Sequence, residues 1–160
     1  MSDGLFPDLK FHHVGFSVNN LDTAIAFYGE VFGMEVEKRV EIPAIHTKLA
    51  FLRRGPLRFE IFEKAGSAPV PAHSAEPNSD LRVQGTKHPC FSVIDCQSAL
   101  ERLHAREDVQ IVGILREIGK PMVVETDVRA VDGRAPALAF FLRDPCGILV
   151  EILQADQFPE

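Results

Sequence analysis

The sequence has little of several residue types on which common classes of functional site depend. Its 160 residues include no tryptophan, one tyrosine and three cysteines. The lack of tryptophan, the single tyrosine and a formal net charge of -6 argue against nucleic-acid binding, which usually needs a basic face or stacking aromatics. Cys90, Cys96 and Cys146 form no C-x-x-C pair and are odd in number, so we expect free thiols in a reducing compartment.

Long hydrophobic runs and a secretory signal are also missing. No apolar stretch approaches the roughly 20 residues that a membrane-spanning helix needs. The first ten residues, MSDGLFPDLK, have neither the basic start nor the apolar core of a signal peptide. We therefore expect a cytoplasmic protein with no membrane partner, folded as one compact domain over residues 1–160.

What the sequence does have is an internal repeat. HVGFSVNNLDTAI, which starts at His13, is similar to HPCFSVIDCQSAL, which starts 75 positions later at His88. A second similarity joins RFEIFE around Glu60 to LVEILQ around Glu151, 91 positions further on. Internal repetition indicates repeated architecture. Each copy therefore pairs one histidine with one glutamate.

Each copy predicts the element order βαβββ. In the first copy, alternation over residues 11–18 predicts a strand, and Asn20 or Asp22 is expected to cap a helix that ends at Gly33. Turn residues then separate three apolar segments, which we predict as strands at 34–42, 47–52 and 57–62. This first module spans about residues 10–63.

The second copy repeats this order over about residues 88–155. A strand is predicted at 89–94, a helix capped by Asp95 at about 97–106, and strands near 110–115, 137–142 and 148–153. The Pro-, Ala- and Ser-rich residues 64–87 are predicted to connect the modules. The growth of the separation from 75 to 91 places a net insertion of 16 residues in the second copy, where 120–131 is expected to form an added hairpin.

Strand alternation gives the histidines and glutamates a direction. Apolar residues flank both glutamates, and the apolar positions of each first strand alternate with His13 and His88. The apolar face is expected to pack under the helix. The two histidines and two glutamates then lie on the other face, whereas His12 falls on the helix-packing face.

This residue set predicts a divalent metal site. Two neutral imidazoles and two carboxylates balance the charge of one divalent cation, which limits the cost of burying it. Mixed nitrogen and oxygen ligands suit Zn, Ni, Co, Mn or Fe(II). In the competing interpretation, the histidines are hydrogen-bonded structural residues and Glu60 pairs with Arg58, which alternation places on the same face.

Three segments of the chain carry a family resemblance. HHVGFSVNNLDTAIAFYGEVFGMEV, KHPCFSV and FFLRDPCGILVEILQ resemble the vicinal oxygen chelate superfamily of glyoxalases, bleomycin resistance proteins and extradiol dioxygenases, over about residues 10–155. The resemblance implies an α+β fold in which two tandem βαβββ modules form a curved, mostly antiparallel eight-stranded sheet around a metal cleft, with helices on the outer face. It also implies a homodimer, and metal ligands at His13, Glu60, His88 and Glu151, the pattern of members similar to glyoxalase I and methylmalonyl-CoA epimerase.

The resemblance further implies a lyase or isomerase of the glyoxalase type. Such an enzyme acts on a small oxygenated substrate through a metal-stabilised enediolate, with a carboxylate as general base. We expect Glu151 to be this base, with Glu60 as its counterpart. Arg58 and Arg143 are candidates to clamp a substrate carboxylate or phosphate. Residues 64–87 and 118–134 are expected to form walls or a lid of the cleft.

Two other functions stay open at this point. The first is a ring-cleaving dioxygenase that uses Fe(II) on His13, His88 and Glu151. Glu60 argues against it, as does the single tyrosine, Tyr28, because family dioxygenases use histidine and tyrosine near the substrate. The second is a metal-free protein that binds a small molecule such as an antibiotic, which would leave the four ligand-type residues unexplained.

Overall fold

The computed structural model describes residues 5, 8–131 and 133–157, and the chain divides into two compact units, Met1–Ser67 and Ala68–Glu160. Each unit contains one βαβββ arrangement, as the repeat predicts. The α+β class is confirmed, and the eight strands belong to two four-stranded sheets, one in each unit. No helix among these residues is long and apolar enough to cross a membrane.

The first unit is a mixed sheet with one helix. Its elements are β1 (Val14–Val18), α1 (Leu21–Phe32), β2 (Glu35–Ile42), β3 (Thr47–Arg54) and β4 (Leu57–Lys64). The strand order is β1-β4-β3-β2, in which β1 runs parallel to β4 and the other pairs are antiparallel. The parallel pair therefore joins the first strand of the module to its last.

Local signals set both ends of α1. The Asn20 side chain accepts a hydrogen bond from the Thr23 amide at 2.8 Å, and Gly33 ends the helix in the left-handed conformation at φ 60°. The Glu63 carboxylate, near the end of β4, accepts from the Leu21 amide at 2.7 Å. This bond ties the first turn of the helix to the strand that pairs with β1.

The second unit repeats the arrangement after a short helix, α2 (Pro77–Asp80). Its other elements are β5 (Cys90–Val93), α3 (Cys96–His104), β6 (Gln110–Leu115), β7 (Ala139–Arg143) and β8 (Leu149–Gln154). The order β5-β8-β7-β6, with β5 parallel to β8, matches that of the first unit. Asp95 caps α3, and Gln154 Oε1 accepts from the Cys96 amide at 2.9 Å, as Glu63 does for α1.

The core of each unit lies between its helix and one face of its sheet. In the first unit Tyr28 is fully buried, and its ring contacts four phenylalanine rings, those of Phe16, Phe27, Phe32 and Phe59. In the second unit the fully buried side chains include Leu100, Phe140, Leu142, Val150 and Ile152. Burial of such side chains contributes roughly 1.5–3 kcal/mol each. The opposite face of each sheet carries both polar and apolar side chains, among them Glu60 with Phe51 and Glu151 with Phe141.

The prediction that His12 lies on the helix-packing face is wrong. β1 begins at Val14, so strand alternation does not extend back to His12. The residue is exposed, and its ring contacts His13 and Arg58.

The predicted hairpin at 120–131 is also wrong. The described residues between β6 and β7 form a single isolated bridge, Ile114 with Val123, and no strand. Arg116 holds this inserted segment instead. Its guanidinium donates to both Glu125 carboxylate oxygens at 2.8 Å and to three further oxygens, those of the Val128 and Ala135 carbonyls and of Gln97 Oε1.

Candidate metal centre

The parallel strand pair of the first unit brings His13 to Glu60. Gly15 of β1 lies opposite Glu60 of β4, and His13 precedes Gly15 by two residues. His13 Nε2 is 3.1 Å from Glu60 Oε2, and the two side chains are 34% and 20% exposed. An imidazole nitrogen and a carboxylate oxygen therefore meet on the face opposite the helix, within reach of solvent.

The second unit builds the same pair by the same register. Cys90 of β5 lies opposite Glu151 of β8, and His88 precedes Cys90 by two residues. His88 Nε2 is 3.1 Å from Glu151 Oε2, with side-chain exposures of 23% and 20%. The Glu151 amide also donates to the Pro89 carbonyl at 3.0 Å, which continues the strand pairing toward His88.

Each pair has an aromatic neighbour that the sequence reasoning missed. Phe51 lies opposite Glu60 in the β3–β4 register, and Phe141 lies opposite Glu151 in the β7–β8 register. Their rings meet the imidazoles of His13 and His88 edge to face, at centroid distances of 5.7 and 4.7 Å. The tripeptide Phe-Leu-Arg, present at both 51–53 and 141–143, was the signal that could have found them.

Behind His13 lies a chain of charged and polar groups. Glu37 binds Arg58 through two hydrogen bonds of 2.6 and 2.8 Å. Arg58 Nη1 is 3.1 Å from His12 Nε2, and His12 Nδ1 is 2.7 Å from His13 Nδ1. The hydrogen bonds from Arg58 hold the pKa of the Glu37 carboxyl below its usual range, and the same bonds raise the pKa of Arg58. The carboxylate partner of Arg58 is thus Glu37, whereas Glu60 pairs with His13.

The series of contacts from Arg58 through His12 to His13 determines the tautomers of both histidines. A guanidinium can only donate, so His12 Nε2 accepts and His12 Nδ1 carries the proton. His13 Nδ1 then accepts from His12, and His13 donates from Nε2 to Glu60. His13 is thereby held with a proton on the nitrogen that faces the carboxylate.

Cys90 adds a thiol beside Glu151, at the position that Gly15 holds in the first unit. Desolvation by the surrounding protein, followed by the charge and the hydrogen bond of the Glu151 carboxylate, raises the pKa of the Cys90 thiol to about 12. The thiol therefore remains protonated at neutral pH and serves Glu151 as a hydrogen-bond donor.

The spacing within each pair fits two ligands of one metal ion. Ligand nitrogen and oxygen atoms lie about 2.0–2.2 Å from ions such as Zn²⁺, so adjacent ligands are about 3.0–3.5 Å apart. The observed 3.1 Å between Nε2 and Oε2 falls within this range in both units, where it is also the length of the hydrogen bond that joins the two groups. Within the described parts of the chain, no three His, Cys, Asp or Glu side chains cluster as a complete ligand set, so each unit offers a two-ligand half-site.

Residues 10–152 match the model of the Glyoxalase/Bleomycin resistance protein/Dioxygenase superfamily. The chain belongs to this superfamily. Among relatives in the superfamily, it is 32% identical over 125 residues to a 2-epi-5-epi-valiolone epimerase of Actinomyces sp, covering 69% of this chain and 66% of that protein. It is 28% identical to a lactoylglutathione lyase of Arabidopsis thaliana, covering 94% of this chain and 46% of the lyase, and 23% identical to human mitochondrial methylmalonyl-CoA epimerase, covering 91% and 74%.

Solved structures of superfamily members show the same fold. The glyoxalase I of Leishmania major superposes with a TM-score of 0.63 at 21% identity, covering 94% of this chain and 89% of that one. A glyoxalase family protein of Enterococcus faecalis gives a TM-score of 0.61 at 19% identity, covering 91% and 98%. The chain spans about two thirds of the valiolone epimerase and about half of the plant lyase.

Proposed function

We propose that the chain is a metal-dependent lyase or isomerase of the glyoxalase type that acts on a small oxygenated substrate. The repeated His–Glu pair, at 3.1 Å in both units, carries this proposal. In it, His13, Glu60, His88 and Glu151 are the ligands of Zn, Ni, Co, Mn or Fe(II). The proposal includes a cytoplasmic homodimer, which rests on the composition and the family resemblance alone.

The protein's own groups move the proton. When bound, the divalent ion supplies Lewis-acid stabilisation of negative charge on substrate oxygen, generally worth several kcal/mol. The Glu151 carboxylate takes a proton from the carbon beside a carbonyl and returns it to the same or the neighbouring carbon, with Glu60 as counterpart. Phe141, which is 4% exposed, packs against the His88 ring at nearly a right angle and orients it.

Proton transfer also fits the chemistry named for the relatives, two epimerases and a lyase. The Fe(II) dioxygenase alternative, with His13, His88 and Glu151 as ligands, finds less support. The single tyrosine, Tyr28, is packed among phenylalanine rings in the helix-facing core.

Metal analysis of the purified protein tests the ligand set. We expect stoichiometric divalent metal in the parent and a loss of most of it in His13→Ala and Glu151→Ala. His104→Ala, an exposed histidine on α3, is the matched control and should keep the metal. A parent without affinity for any of the five metals would refute the proposal and favour the metal-free binding protein.

Solvent isotope exchange tests the reaction. The metal-loaded protein in D₂O, without O₂, should introduce deuterium into at least one of three probes, S-lactoylglutathione, methylmalonyl-CoA or 2-epi-5-epi-valiolone, as measured by mass spectrometry. Glu151→Gln should slow the exchange by about 10²-fold or more. Oxygen consumption with catechols by the Fe(II) form, without such exchange, would instead identify the dioxygenase.

A further inference from the structure

Arg143 occupies a defined place beside the second His–Glu pair. It is the last residue of β7, two residues beyond Phe141, and Phe141 lies opposite Glu151. Residues two apart on a strand share a face and lie about 7 Å apart. Arg143 is therefore one step along the sheet from Glu151, on the same face as the candidate metal ligand.

No group among the described residues pairs with the Arg143 guanidinium. Its Nε is buried and forms no hydrogen bond, and none of the hydrogen bonds and ion pairs found among the described residues involves this side chain. A buried donor without an acceptor is unfavourable, more so when it is charged. Because this side chain also lines an open cavity, the rest of the guanidinium can bind an anion from outside the protein.

The equivalent arginine of the first unit is paired with a carboxylate of the protein. Arg53 holds the same place in β3, two residues after Phe51. Its Nε donates to the Gly55 carbonyl at 2.9 Å, and its Nη1 is 3.5 Å from Glu37. Glu37 occupies a β-bulge in β2, where the pairing shifts between Val36 and Lys38. The first unit thus supplies its own carboxylate at this place.

The second unit has the same bulge without the charge. The pairing of β6 shifts between Ile111 and Gly113, which puts Val112 at the position of Glu37. Val112 is 9% exposed and packs with Phe141 and Leu149. An apolar side chain therefore stands where the carboxylate would be, and the low local polarity strengthens the attraction of Arg143 for an anion.

A cavity gives access to the guanidinium. It has a volume of about 440 Å³ and lies between the residues that precede β6 and the β7–β8 turn. Two carboxylates of its lining are already engaged, since Asp108 binds Arg106 at 2.8 Å and Asp144 accepts the Cys146 and Ile148 amides. Glu107, the third, is exposed. None of the three forms an ion pair with Arg143 among the described residues.

The geometry points to Arg143 as the anion anchor of the His88–Glu151 site, so that the substrate carries a carboxylate or phosphate group a few atoms from its reacting carbon. This inference rests on the proposed function, which identifies the part of the substrate that reacts beside Glu151. A forked guanidinium binds the planar oxygens of such groups through two parallel hydrogen bonds. An anion in the cavity would supply a partner that the described residues do not give this side chain.

Anion binding to the chelator-treated, metal-free full chain tests the inference. We would titrate butanoate, ethyl phosphate and the neutral butanamide, following the arginine Nε–H signals by NMR. Butanoate or ethyl phosphate should bind and shift the Arg143 signal, and butanamide should not. Whichever anion binds more tightly identifies the substrate group as carboxylate or phosphate.

Variants assign the effect to this residue. Arg143→Gln should weaken anion binding about tenfold or more, and Arg143→Lys should weaken it less, because the charge remains but the fork is lost. Arg53→Gln, the matched control in the first unit, should leave the affinity unchanged. Equal binding by the parent and both Arg143 variants, equal binding of butanamide, or no anion binding would each overturn the inference. Because no metal is present, these results are independent of metal content and isotope exchange.

Discussion

At the scale of single residues, the two histidines differ in what stands behind them. His13 is backed by His12 and Arg58, whereas Lys87, at the position equivalent to His12, turns to the Asp80 carbonyl at 2.8 Å. The Arg58 contact holds His13 with its proton on Nε2. A metal on Nε2 requires the proton on Nδ1 instead. Arg58 therefore opposes metal binding at His13 through both the tautomer and its charge.

Replacement of Arg58 should accordingly tighten metal binding. In Arg58→Gln the amide can accept from His12 as well as donate to it, and a nearby positive charge is removed, so we expect about tenfold higher affinity for Zn²⁺ or Co²⁺. Competition with a chelating dye measures the affinity. Arg39→Gln, which removes an exposed guanidinium paired with Asp22, is the control and should change it little. Unchanged or weaker binding in Arg58→Gln would contradict this account.

At the scale of elements, sequence signals were reliable where they were local. The Asn20 cap, the Gly33 stop and the period-2 alternation of β4 and β8 each act within a few residues, and those elements form as predicted. The hairpin prediction for the inserted segment was wrong because the contacts that shape this segment are not local. Its conformation depends on Arg116, whose partners lie 9 to 19 positions away along the chain, and no periodicity encodes such contacts.

Loss of the Arg116 side chain should release the inserted segment. Arg116→Met leaves Glu125, whose side chain is 15% exposed, with a weaker partner in Arg134 at 3.6 Å. We expect a loss of about 3 kcal/mol in the free energy of unfolding and faster hydrogen exchange over residues 120–131. Denaturant titration and exchange mass spectrometry measure both effects.

Arg129→Gln provides the comparison. Arg129 pairs with Asp127 at the surface, where its side chain is 71% exposed, and such exposed pairs contribute little to stability. Equal destabilisation by the two substitutions would show that Arg116 does not anchor the segment.

At the scale of the whole molecule, the sequence predicted the fold and the pairing of one histidine with one glutamate in each unit, because the repeat sets these residues in equivalent places. It could not predict the groups that distinguish the two units. Glu37 and Val112 sit at bulges, where alternation is interrupted, and the partner of Arg58 comes from another strand. These differences appear only when the strands are paired in space.

The stability of the molecule should fall at alkaline pH. Desolvation, together with the charge of nearby carboxylates, raises the pKa of both Cys90 and Cys96 to about 12, against about 8.5 for an unfolded cysteine. The unfolded chain releases these protons first, so the contribution of the two thiols to the free energy of unfolding is constant below about pH 8 and declines as the pH rises from there toward 12.

The doubly substituted Cys90→Ala, Cys96→Ala protein should show a shallower decline than the parent. Urea titrations from pH 7 to pH 11 measure how steeply the free energy of unfolding falls in each protein. At pH 7 the two free energies should differ only by the fixed effect of the substitutions. Parallel curves over the whole range would exclude the cysteines as the cause.

The bulge shared by β2 and β6 has one more consequence. An extra residue that stands outside the ladder of paired backbone groups can exchange a carboxylate for a methyl-bearing side chain while every neighbouring hydrogen bond keeps its partner. The two units can thus share one backbone arrangement and differ in charge pairing. In the first unit an arginine pairs with a carboxylate of the protein, and in the second we expect the equivalent arginine to pair with an anionic ligand.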